Sequence, residues 1–272
     1  MTPPERILSV APSPAFWIAG IAYAAATVAL FAVLAGKQQA RKVAIGLVAI
    51  AWVAHGIDIG WRGTLHVHPA QSVREAIGFL AFILTGGYLF ANLKYRLALG
   101  GVVVMPVALV MLLIARLTPV GEAQAGLDTL GRIHISLATI GVAIFAVASV
   151  LSAMYLVEER ALKRKKFDAL AFKDNKGTPL ESLDKLAHRL VWAGFPIFTI
   201  ALVLGAIWVA RLGEDLGRIE YPLAAITWLA FAALLVMRAV YGWRGKRAAR
   251  LTLLGFGAAL LVLAIYLLRR LT

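Results

Sequence analysis

Runs of apolar residues too long for core strands constrain this chain more than any motif in it. The clearest extends from Ile133 to Val157, 25 residues, against the roughly 20 that a helix needs to cross a bilayer core. It opens beside Arg132 and His134, and closes on Glu158-Glu159-Arg160 and the basic tract Lys163-Arg164-Lys165-Lys166. Seven further apolar runs of about 17 to 21 residues surround it, whereas a core strand is about 4 to 8 residues long. With 61% hydrophobic residues and a mean hydropathy of +0.82, the chain reads as a polytopic membrane protein of class all-α.

The expected architecture is a single transmembrane domain over residues 1–272. It is a bundle of eight transmembrane helices at about 15–35, 43–59, 73–91, 98–117, 133–157, 190–210, 223–241 and 251–268. Met1 to Pro14 carries one cation, Arg6, and so lacks the basic start of a cleavable signal peptide. The first span is therefore expected to remain. The longest connection, 158–189, is basic, and within it Thr178-Pro179-Leu180-Glu181 reads as a capping box. A helix is expected to begin there, on the membrane surface, and to continue into the sixth span.

The net charge of +14 sits almost wholly in connections and termini, not in a soluble basic domain, so nucleic acid is excluded as a partner. Nineteen of the 28 lysines and arginines fall in or beside the connections after spans one, three, five and seven. By the cation bias of cytoplasmic loops, those connections are inside and both termini outside, in a multi-pass protein of the inner (cytoplasmic) membrane. His55, His66, His68 and His134 then lie at or near the outer face, and His188 inside. Trp17, Trp52, Trp61, Trp208 and Trp228 fall toward the same outer side, where an interfacial aromatic belt accounts for them. Gly60-Trp61-Arg62-Gly63 recurs as Gly242-Trp243-Arg244-Gly245. The two copies end spans on opposite faces, so they read as two helix ends with glycine stop signals and not as a repeat.

The absence of cysteine removes disulfide and thiolate chemistry from this chain. No nucleophile triad, phosphate-binding loop or dinucleotide fingerprint occurs, and the chain reads as a non-enzyme. Its chemistry rests on histidine. His55 shares a helix face with Trp52 and Asp58, so Asp58 is expected to hydrogen-bond one ring nitrogen and leave the other as a ligand. His134 starts the fifth span beside Arg132. Two neutral imidazoles from two helices are what a six-coordinate haem iron in a bundle requires, and Arg62, Arg74 and Arg132 at the rim suit its propionates. The competing reading has both histidines bonded to neighbouring helices as structural groups. His66 and His68, two apart in a loop, are either a solvated pair or a transient haem contact. His188 reads as structural, and Glu75 and Glu220 as helix caps.

Four segments, in order, resemble the CcsA/HemX-type family of cytochrome c assembly and haem-handling membrane proteins. They are His68-Pro69 with Arg74-Glu75-Ala76 and Phe79-Leu80-Ala81; His134-Ile-Ser-Leu-Ala through Leu156-Val-Glu-Glu-Arg160; Gly194-Phe195-Pro196 through Thr199 to Gly205-Ala-Ile-Trp208; and Arg238 with Gly242-Trp243-Arg244-Gly245 through Gly255-Phe256. Full CcsA-type members carry a tryptophan-rich outer motif ending W-D-P-K-E, where this chain has Gly217-Arg218-Ile219-Glu220-Tyr221-Pro222. Their L-H-x-R reads Leu235-Val236-Met237-Arg238. The resemblance thus implies a reduced, HemX-like branch, with a haem b held near the outer face through His55 and His134. Implied partners are the lipid bilayer and other membrane proteins of cytochrome c assembly. The alternative is a haem-free accessory or regulatory subunit that scaffolds a larger membrane complex. A solute transporter ranks below both, since no matched pair of broken spans occurs.

Overall fold

The computed structural model describes residues 12–95, 97–117, 128–163, 180–213 and 218–271. Eight helices result: α1 Pro14–Leu34, α2 Ala40–Thr64, α3 Val73–Tyr95, α4 Ala98–Leu117, α5 Thr129–Lys163, α6 Leu180–Leu212, α7 Glu220–Tyr241 and α8 Lys246–Leu271. Each is long and apolar enough to span a bilayer. Most of the outer loop at 118–127, Arg164 to Lys166 of the basic tract and Thr178-Pro179 of the capping box lie outside the described residues.

Two of the elements outrun the apolar spans that mark them in the sequence. α5 continues past Val157 to Lys163, and α6 begins at Leu180, ten residues before its span. In these polar turns Lys163 bonds Glu159 at 2.7 Å and Lys185 bonds Glu181 at 2.6 Å, both i,i+4 pairs of the kind that support exposed helix.

Sequential helices run antiparallel and pack as two sets. In the first, α1 lies on α2 and α4, and α3 on α4. In the second, α5 and α6 form the most extensive pair, with α7 and α8 beside them. α3 and α4 meet α5 and join the sets. One core cluster centres on Phe16, Tyr23, Leu30, Met105 and Leu112, and a second on Phe145, Phe198 and Phe231. Phe145 and Phe231 stack at 3.8 Å between centroids.

The repeated tetrapeptide has two fates. Gly242 ends α7 in the left-handed conformation (φ 64°), as a glycine stop signal should. Gly60 to Gly63 instead lies inside α2, which runs on to Thr64. That correction follows from Arg62: its side chain is 4% exposed and ion-paired to Glu75, so the last turn of α2 is held by a neighbour and has no reason to stop.

At the opposite end, Asp184 of α6 clamps the α7–α8 turn. Arg238 Nη1 and Nη2 donate to its two oxygens at 3.1 and 2.8 Å, and the Gly245 N–H donates at 2.8 Å. Asp184→Ala removes three charge-assisted bonds at a mostly buried site, and about 2–3 kcal/mol of stability should go with them. Asp184→Asn, which retains the contact to Gly245, should lose less. Thermal midpoints of the detergent-solubilised variants measure this, and equal midpoints for wild type and Asp184→Ala would show that the clamp holds nothing.

Candidate functional site

Two histidine sites occur, one in each helix set, and the structure does not bring them together. His55 of α2 faces α1 and α3, whereas His134 of α5 faces α6.

His55 is fully buried. Its Nδ1 lies 3.1 Å from the Tyr23 hydroxyl, which lies 3.1 Å from Thr85 Oγ1, which in turn donates to the Ala81 carbonyl at 2.8 Å. The proton positions follow from the far end. A carbonyl only accepts, so Thr85 gives its proton to Ala81, Tyr23 gives its own to Thr85, and the Tyr23 oxygen must accept from His55 Nδ1–H. His55 Nε2 is therefore a bare lone pair, and among the described residues it is buried with no partner. Asp58 is not the orienting group that the sequence suggests. Its oxygens take Ser13 Oγ at 2.6 Å and Arg116 Nε at 2.8 Å. The reason is geometric: Asp58 shares the buried face of α2 with His55, but Tyr23 of α1 reaches the ring first.

Asp58 belongs instead to a buried ionic network one turn along. Arg62 Nε and Nη2 grip Glu75 at 3.0 and 2.5 Å, and Arg116 Nη1 reaches Glu75 at 3.2 Å. Arg74 donates to the carbonyls of Ala115 and Arg116 at 2.6 and 3.2 Å, closing the end of α4. Arg62 and Arg74 are thus committed to protein partners and do not form an open propionate rim. Arg132 alone of the three is exposed. Glu75 is an ion-pair partner, not a cap, and Ser72 Oγ receives the Glu75 N–H at 3.3 Å. Glu220 likewise receives Arg218 Nη2 at 2.8 Å.

His134 lies half-buried, its ring set in a notch of α6. Nδ1–H donates to the Ala201 carbonyl at 2.7 Å, which again leaves Nε2 as the lone-pair nitrogen. The notch exists because residue 205 is glycine: a Cβ there would lie 2.5 Å from His134 Cε1. Trp208, with centroids 6.1 Å apart, flanks the imidazole and in turn sits over Gly131, where a Cβ would come within 2.8 Å of the indole. Thr199 accepts the Trp228 N–H at 2.9 Å and ties α6 to α7.

The loop histidines do not cooperate. His66 takes a positive φ of 62° in an exposed turn, and His68 Nδ1 accepts the Ala70 N–H at 3.0 Å as a turn cap. Among the described residues no three His, Asp or Glu side chains gather to hold a metal ion. His188 borders a small cavity with Asp184, Tyr155 and Arg238 at the clamp end, away from both sites. The tryptophans divide as well. Trp17 and Trp61, each 54% exposed, suit an aromatic belt, whereas Trp52 and Trp208 turn inward and their Nε1–H groups are buried without partners. Each site therefore sets a histidine with a bare Nε2 near a tryptophan with an unused N–H.

The residues that build the His134 notch, Gly205 and Trp208, and the clamp residues Arg238 and Gly245 fall within one stretch, residues 70–272, that matches the family described as Cytochrome C assembly protein. The chain belongs to that family. A cytochrome c biogenesis protein CcsA from Porphyra purpurea is 31% identical over 229 residues, covering 69% of this chain and 72% of the relative. Another from Guillardia theta is 29% identical over 212 residues, 69% of each chain, and one from Gloeobacter violaceus 25% over 264 residues, 77% of this chain and 78% of that one. This family member's eight helices make it a multi-pass membrane protein of cytochrome c assembly. His134 lies inside the family match, while Tyr23, His55 and Asp58 precede it.

Proposed function

We propose that the chain handles haem for cytochrome c assembly without itself being an enzyme, and that His134 is the residue that meets haem iron. The observation carrying this reading is the His134 ring itself. Its Nδ1–H is bound to a backbone carbonyl and its Nε2 is left free, the arrangement in which metal-ligating histidines are held. His55 has the same polarity, with Nδ1 committed to Tyr23 and Nε2 bare. A haem would be held by Nε2 of one ring or the other, with exposed Arg132 near His134 suited to a propionate; bound haem supplies iron that accepts an axial imidazole. Because the rings lie in different helix sets, each serves a site of its own.

The test is the absorbance of protein purified from haem-replete cells. His134→Ala should remove the part of the Soret signal that belongs to its site, and His188→Ala should leave the spectrum unchanged. Haem-free protein would overturn the reading. It would favour the alternative, a scaffolding subunit of a larger membrane complex, for which the complete enclosure of His55 speaks.

The proposed orientation places the His134 end of the bundle outside and the Asp184 clamp inside, in the inner membrane, with the chain's partners among other membrane proteins of the assembly pathway. Reporters fused after Thr272 should behave as exported, and reporters placed between Lys165 and Lys176 as cytoplasmic. The opposite pattern would put both sites in contact with the wrong compartment.

A further inference from the structure

We propose that Phe82 is a gate over His55, opening sideways into the lipid between α2 and α3 to admit a flat, apolar, metal-carrying ligand to Nε2. This rests on the haem-handling reading and adds to it a route.

The starting point is the unpartnered Nε2 of a ring with no exposed surface. Within a bilayer there is no water to satisfy such an acceptor, so whatever Nε2 binds must reach it by displacing a neighbour. The surrounding aromatic rings differ in how firmly they are held. Tyr23 is fully buried and fixed by hydrogen bonds to His55 and Thr85. Trp52 is wedged against α3 at Gly86, where a Cβ would come 2.7 Å from its Nε1. Phe82 has neither restraint. It stands half-buried. It stacks on Trp52 with centroids 5.2 Å apart and planes 6° apart, and meets His55 edge-on at 5.8 Å and 75°. Its ring edge lies over Gly56, where an added Cβ would come 3.1 Å away, so on α2 only the ring contacts with Trp52 and His55 hold it.

Turning Phe82 outward breaks no hydrogen bond. In water, exposing a phenyl ring would be opposed by the hydrophobic effect, but lipid tails are as apolar as the bundle interior, and only packing contacts are given up. The opened space lies between Trp52 and His55, and it uncovers the face of the indole and the imidazole lone pair together. A planar apolar ring with a metal at its centre fits that pair, its ring stacking on the indole and its metal meeting the lone pair. Such a ligand partitions into the bilayer, from which the gate opens.

The experiment reads the gate without haem. Diethyl pyrocarbonate acylates unprotonated imidazole nitrogens, and mass spectrometry of the purified full-length protein gives a rate for each histidine. Exposed His66 and His68 should label quickly and His55 slowly in the wild type. In Phe82→Ala the His55 rate should rise about tenfold or more, because access is limited by local opening, with Phe82→Leu intermediate. His134 and His188 should keep their wild-type rates. An unchanged His55 rate in both variants overturns the proposal, as does wild-type His55 labelling as fast as the loop histidines. A parallel rise at all five histidines in both variants also counts against it, since the ring would then be holding the fold and not a gate. Haemin titration then separates the two claims. If Phe82 controls labelling but no histidine-dependent haem spectrum appears, the gate stands and the haem reading falls. If His55-dependent haem uptake is seen at the same rate with and without the Phe82 ring, the haem reading stands and the gate falls.

Discussion

Replacing Arg116 with leucine should lower the thermal midpoint of the solubilised protein more than any single change outside the apolar core. The guanidinium is 2% exposed, touches Asp58 at 2.8 Å and Glu75 at 3.2 Å, and is the group common to both carboxylates. Among the described residues its removal leaves Asp58 with Ser13 and Glu75 with Arg62. Breaking a buried pair from one side costs about 3–5 kcal/mol, because a charge stays behind in a low-dielectric site. For a chain of this size that amounts to roughly 6–20 °C. The informative control removes charge from both partners. Arg116→Met with Asp58→Asn leaves the Arg62–Glu75 pair intact and should recover more than half of the loss. Equal midpoints for the single and double variants would show that lost packing, not stranded charge, governs this end of the bundle.

With His134 meeting haem iron as proposed, Gly205→Val should empty that site as completely as His134→Ala, although residue 205 carries no ligand atom. A side chain at 205 occupies the place of the imidazole, with Cβ alone 2.5 Å from Cε1, so the ring must leave the notch and its bond to Ala201. Losing the group that orients a ligand typically costs 10- to 100-fold in metal affinity, and displacing the ring costs at least that. Gly205→Ala should fall between. Cytochrome c yield in a strain dependent on this chain is the second readout. Normal yield and a normal spectrum from Gly205→Val would remove His134 from the functional site.

The eight helices were legible because a bilayer imposes a length and a polarity that composition reveals directly. The extension of α5 was not, since Glu158 to Lys163 carries no apolar signal, whereas the early start of α6 was, through the capping-box sequence and the helical spacing of Leu180, Leu183, Ala187 and Leu190. Histidine tautomers were legible only in part. That Asp58 shares a face with His55 follows from a spacing of three, but which helix stands opposite does not. Tyr23 lies 32 residues from His55, and Arg116 58 residues from Asp58. The same limit explains the tryptophans: hydropathy gives their depth, but whether an indole faces lipid, as Trp61 does, or a glycine of the next helix, as Trp52 does, depends on the neighbour. Gly205 and Trp208 did stand out in the sequence, through family resemblance. What they do, seating His134, needed the antiparallel register of α5 and α6.

The ionic network also bears on how the chain enters the membrane. Asp58 and Arg62 lie on α2, Glu75 on α3 and Arg116 on α4, and among the described residues the carboxylate of Asp58 is ion-paired to Arg116 alone. A helix carrying an unpaired carboxylate at this depth resists release into lipid. The second helix therefore gains a stable place only after some fifty further residues have been made and the fourth has arrived. The first four helices should leave the insertion machinery as one unit, and a pause or truncation before Arg116 would strand α2 at the translocon.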